Sequence, residues 1–214
     1  MAEIPTWFPR SQTLLGSPFL RPLPQLPPKR RAFISYFDGD GYWVDRFVKT
    51  FGSGGANTFT PRGIGITDAD NFVDSYDPEY VMSRIREECL EDSSVTIVLV
   101  GRCTHSRRYV DWEIKSSLRQ AGNEPPNGLL GIILPGASIT TMLGGTTLPC
   151  CPDRLARNIN SGYAKWYDYP QSAENLRAWI EDACNARTGQ SRLIVNPNEM
   201  MKYNARCLVC SRTH

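Results

Sequence analysis

Val95-Thr-Ile-Val-Leu-Val100, closed by Gly101, decides the fold. The run is apolar throughout, rich in β-branched residues and free of polar alternation. Such a run suits a strand buried on both faces, as in the middle of a parallel sheet. Two other stretches read alike: Ala32-Phe-Ile-Ser-Tyr36 and Leu129-Leu-Gly-Ile-Ile-Leu134. Shorter strands are expected around Phe59 and Ile64 to Ile66, and from Ala164 to Tyr167.

Helical spacing fills the intervals. Asp38-Gly-Asp-Gly41 is a turn, and Asp40 is placed to cap a helix whose Trp43, Val44, Phe47, Val48 and Phe51 form one apolar stripe ending at Gly52. Asp77-Pro78-Glu79 opens a second helix, with a capping acid before proline; Val81, Met82, Ile85 and Cys89 face inward. A third runs from Tyr109 to Gln120, with Val110, Ile114 and Leu118 inward and Glu113 pointing elsewhere. Ser172 caps a last helix striped by Leu176, Trp179, Ile180, Ala183 and Cys184. Residues 135–160 read as a long loop.

This alternation predicts an α/β, flavodoxin-like three-layer fold with a central parallel sheet of about five strands. Chemistry in such sheets gathers at the carboxyl ends of the strands, near the switch in strand order. Tyr36 to Asp40 and Gly101 to Glu113 are therefore expected to be neighbours. The chain divides into a proline-rich arm at 1–30, a main domain at 31–187 and a C-terminal tail at 188–214.

The 214 residues carry 24 basic and 22 acidic side chains, a net charge of +2. A general nucleic-acid binder would show a strong basic excess or a basic stripe, and neither is present, so no specific nucleic acid is expected as a partner. Lys29-Arg30-Arg31 and Arg107-Arg108 read as solvated flanks. No apolar run approaches a membrane span, and no secretory leader is evident. The seven cysteines are odd in number, and Cys89 and Cys184 fall on apolar helix faces, as reduced cysteines of a cytoplasmic protein do. A phosphate loop and the dinucleotide-binding glycine pattern are both missing. Asp38-Gly-Asp-Gly41 lacks the later ligands of a calcium loop. Cys207-Leu-Val-Cys210 with His214 supplies part of a zinc site, but adjacent Cys150-Cys151 are poor chelators, so no metal is expected.

Glu113 is the best catalytic candidate. An acid early in a helix can merely complement the helix dipole. An acid beside aromatics at the strand-carboxyl edge also suits glycosidic cleavage, because a carboxylate stabilises an oxocarbenium-like sugar. His105 is a second acid–base candidate, more simply read as a surface loop residue.

Three stretches resemble TIR domains: Arg31-Ala-Phe-Ile-Ser-Tyr36, Val95 to Gly101, and Ser106-Arg-Arg-Tyr-Val-Asp-Trp-Glu113-Ile. Over residues 30–185 the chain is similar to the TIR-like family typified by the ThsB subunit of the Thoeris anti-phage system, most specifically from Tyr80 to Leu118. The resemblance implies cleavage of the bond between nicotinamide and ribose in NAD, with NAD as substrate, no other cofactor and no metal. It implies a cyclised ADP-ribose signal read by a downstream effector, and self-association to complete the pocket. Glu113 matches the family glutamate. Ser35, Tyr36, Phe37 and Asp40 match the first-strand motif and would line the pocket, with Tyr109 and Trp112 as aromatic walls or packing. The alternatives are a non-enzymatic TIR-like adaptor and a receiver- or flavodoxin-like module. A receiver needs an aspartate ending its third strand, where this chain has Val100-Gly101.

Overall fold

The computed structural model describes residues 29–64, 78–90, 92–120, 125–137 and 151–214. The arm as far as residue 28, the aspartate-rich stretch with Asp77, and Cys150 lie outside the described residues, as does the Cys89 side chain.

Five parallel strands form one sheet in the order β2-β1-β3-β4-β5: β1 Arg30–Tyr36, β2 Phe59–Ile64, β3 Val95–Val100, β4 Gly128–Ile133 and β5 Lys165–Tyr167. The fold is the expected α/β three-layer arrangement. Every residue of β3 and β4 is buried, which is why neither strand alternates. Pro61 sits in edge strand β2, the position where a missing N–H is tolerated.

The helices are α1 Gly41–Phe51, α2 Pro78–Arg84, α3 Arg108–Ser117, α4 Asp153–Asn160 and α5 Ala173–Gly189. A wider π-type turn, Ile85–Leu90, continues α2. Alternate residues of the strands separate two cores. Val95, Ile97 and Leu99 pack with Phe47 of α1 and Ile180 of α5. Val98 and Val100 pack on the other face with Ile114 of α3 and Leu155 of α4. Ser172 Oγ accepts the Asn175 N–H (3.1 Å), so the cap on α5 is formed.

Three expectations need correction. Residues 153–160 are helix α4, not loop. Its inward face includes Arg154 and Asn158, so an apolar stripe does not announce it. Asp40 precedes α1 but makes no side-chain capping bond; its carboxyl turns to the loop after β3. Glu113 does not point away from the core: it faces the sheet and is buried against Ser35 of β1.

The tail runs back along α3. Asn158 Nδ2 donates to Val195 O (2.8 Å), Asn196 Nδ2 to Lys115 O (3.1 Å), Trp112 Nε1 to Met201 O (2.8 Å), and Ala205 N to Ser106 O (2.9 Å). Asn204 Oδ1 accepts the Arg108 N–H (2.9 Å), capping the first turn of α3 from a distant part of the chain.

At Gly128 the α5 backbone approaches β4 so closely that a Cβ would overlap the Ala183 carbonyl. Backbone cannot step aside as a flexible side chain can. Gly128→Ala is expected to cost about 1–3 kcal/mol, read as a lower midpoint in urea unfolding with an unchanged slope. An unchanged midpoint would mean that α5 rides up freely.

Candidate functional site

The switch in strand order lies between β1 and β3, because β1 connects to β2 on one side and pairs with β3 on the other. The loops leaving these two strands meet at the carboxyl edge.

Ser35, one residue before the end of β1, faces α3. Its hydroxyl donates to Glu113 Oε2 at 2.5 Å, and both residues are 0 % exposed. Tyr36 follows Ser35 and therefore faces the other side, in the core under α1 and α5. Only one of these two motif residues stands beside Glu113.

Phe37 is the next to leave the strand. The Arg107 guanidinium carbon lies 4.5 Å from its ring centroid, and the His214 ring centroid is 5.3 Å away. Asp40 reaches the end of β3, where a side chain on Gly101 would overlap its carboxyl. Thr104 Oγ1 accepts the Gly101 N–H (2.8 Å) and donates weakly to Asp40 Oδ2 (3.4 Å).

Tyr109 and Trp112 lie apart from the Ser35–Glu113 pair. Trp112 is 2 % exposed, packs with Val81, Met82 and Ile85, and spends its indole N–H on the tail. Tyr109 meets it edge-on at 5.5 Å, with the Arg108 guanidinium 4.8 Å from the tyrosine ring centroid. His105 is also committed to the tail: its Nε2 accepts the Leu208 N–H at 3.1 Å. Burial lowers its pKa and favours the neutral ring.

Sequence reasoning missed Thr104, Asn204 and the approach of His214. A threonine in a loop carries no signal until the loop conformation is known. The other two depend on contacts between distant parts of the chain, 96 residues apart for Arg108–Asn204 and farther still for Phe37–His214.

Burial raises the Asp40 pKa to about 6, against the smaller lowering effect of the Thr104 hydroxyl. The folded chain therefore holds this proton more tightly than the unfolded chain between about pH 4 and pH 6. The stability it contributes is full below the unfolded value and lost as the pH rises through about 6. Asp40→Asn is expected to melt higher than the parent at about pH 8, with the gap closing towards about pH 4. Thermal unfolding at both pH values checks this, and a gap independent of pH would refute it.

A cavity of about 700 Å³ lies at the opposite, amino edge, lined by residues including Arg86, Ser93, Ser116, Asn127 and Arg187. Ser35, Asp40, Thr104 and Glu113 are not among its lining residues. Volume alone does not outweigh the convergence of loops at the switch point.

The family model described as Thoeris protein ThsB, TIR-like domain, matches residues 33–139, half of the chain. That span holds Ser35, Asp40, Thr104 and Glu113, and stops before α4, β5, α5 and the tail. A search of the curated proteins finds no match.

Proposed function

Because the chain belongs to the family of Thoeris ThsB TIR-like domains, we propose that this defence-related protein cleaves NAD at the nicotinamide–ribose bond, with Glu113 as the catalytic residue. The observation that carries the reading is the 2.5 Å bond from Ser35 to Glu113, which joins the first-strand motif to the helix motif under the switch point. Ser35 fixes one carboxyl oxygen and so limits the rotation of the side chain.

In the proposed reaction the C1′–N bond breaks and its electron pair leaves with the nicotinamide nitrogen, which becomes neutral. The ribose is left with oxocarbenium character. The Glu113 carboxylate stabilises that charge and accepts a hydrogen bond from a ribose hydroxyl. Water then attacks C1′ and loses a proton, giving ADP-ribose, or a nucleophile of the same molecule closes a ring. Phe37 and Asp40 are the proposed pocket residues from the β1 exit; Tyr109 and Trp112 are assigned to packing. Glu113 has no exposed surface in the single chain, so self-association or substrate entry must part the covering elements, and the product is proposed to act on a downstream effector.

The test is incubation of the full chain with NAD at high concentration, with and without lysate from phage-infected cells, followed by mass spectrometry of the nucleotides. Nicotinamide and an ADP-ribose species are expected from the parent and not from Glu113→Gln. Complete burial of Glu113 favours a second reading, a TIR-like adaptor acting through its surfaces. Intact NAD under every condition, with both proteins folded, would remove the main support of the enzymatic reading and put the adaptor reading in the lead.

A further inference from the structure

The tail brings two cysteines and a histidine to a third cysteine from the middle of the chain. Cys103 is buried in the loop leaving β3. Its Sγ lies 3.1 Å from Cys207 Sγ and 3.6 Å from Cys210 Sγ, and Cys210 Sγ lies 3.0 Å from His214 Nε2. All four donor atoms fall within 4.8 Å of one another. A tetrahedral zinc ion with bonds of about 2.3 Å to sulfur and about 2.0–2.1 Å to nitrogen needs donor–donor edges of about 3.5–3.8 Å. The separations bracket that range, so small side-chain adjustments suffice to seat one ion.

The backbone around the cluster is built to present sulfur. Arg206 pairs with Thr213 in an antiparallel bridge, and the Cys207 N–H donates to Arg212 O (2.7 Å). Ser211 closes the turn at φ 59°, a left-handed conformation uncommon for serine. This hairpin aims both of its thiols at Cys103. His105 supports the turn from outside through the Leu208 N–H.

We propose that Cys103, Cys207, Cys210 and His214 bind one zinc ion in a closed structural site that fastens the tail to the carboxyl edge of the sheet. On binding, the three thiols release their protons to solvent and the neutral His214 ring contributes its Nε2 lone pair. Four protein donors fill a tetrahedral shell, so no position remains for water or substrate and the site is structural. Spacing alone offers the Cys-x-x-Cys pair only the adjacent Cys150-Cys151, which are poor chelators. The third thiol stands 104 residues away, |i−j| for Cys103–Cys207, and only the fold supplies it. The site does not rest on the NAD reading, but it bears on the same edge, since the His214 ring flanks Phe37.

The experiment is metal analysis of the full chain purified without chelator, by mass spectrometry of the elements. About one zinc per chain is expected, lost by at least ~10-fold in Cys207→Ser and in Cys103→Ser and retained in Cys184→Ser. Cobalt exchanged into the site should give the strong visible bands of a tetrahedral thiolate complex. Chelation should expose the bonds after Lys202 and Arg206 to trypsin while the sheet stays intact. Since the zinc content of the unaltered protein is decisive, a variant that fails to fold does not rescue the proposal. Free thiols without bound metal, or a Cys103–Cys207 disulfide found by peptide mapping, would overturn it.

Discussion

Arg154→Leu is expected to destabilise the fold by about 3–5 kcal/mol, the cost of stranding one member of a buried ion pair. Arg154 is 3 % exposed and Asp111 8 %. The guanidinium donates from Nε to Asp111 Oδ1 (2.9 Å) and from Nη2 to Asp111 Oδ2 (3.4 Å). It also donates to Asn196 Oδ1 (2.9 Å), Pro197 O (3.0 Å) and Glu199 O (2.6 Å). One side chain from α4 thus joins α3 to the start of the tail. Leucine leaves Asp111 to the Met201 N–H (3.0 Å) and leaves three tail acceptors without this cation. In the double variant Asp111→Asn, Arg154→Leu the stranded charge is absent, so its cost should fall well short of the two single losses added together. Urea unfolding of the four proteins measures both quantities. A single-variant loss below about 1 kcal/mol would place the pair among those that contribute little.

Glu113→Gln should slow NAD cleavage by at least about 100-fold, the scale seen when one group stabilising transition-state charge is removed. The same substitution should leave the protein folded, since an amide of equal size still accepts from Ser35. Slower turnover with the fold retained is the pattern of a residue retained for chemistry. Ser35→Ala separates positioning from chemistry: it should lower turnover by less than Glu113→Gln and leave its pH profile in place. If Glu113→Gln instead unfolds the protein while Ser35→Ala is silent, Glu113 is a structural residue and the enzymatic reading fails.

The sheet was legible because its strands are buried on both faces, so Val95 to Val100 and Leu129 to Ile133 announce themselves by composition alone. Alternation with helices then fixed the parallel order and the meeting of the two loops at the switch point. Helix α4 was not legible, because its inward face carries Arg154 and Asn158, satisfied by a segment about forty residues further on, |i−j| being 42 for Arg154–Asn196. The burial of Trp112 was hidden for the same reason, whereas Glu113 is buried against Ser35 of β1, a polar pairing that an apolar stripe does not reveal. Stripe analysis assumes one buried face per helix, and α3 has a second, made by the tail and α2. The cysteine cluster was invisible at the level of spacing, since two of its ligands bracket nearly half the chain.

The capping of α3 by Asn204 has a consequence in time. Synthesis delivers the strands and α3 long before it delivers residues 195–207, at about 5–20 residues per second. Until then the amide of Arg108, the indole of Trp112 and the Asp111–Arg154 pair have no tail to meet. A nascent chain can assemble its sheet and still carry an unfinished α3, so the helix bearing Glu113 is locked in place only once residues 195–207 have been made, well after its own synthesis.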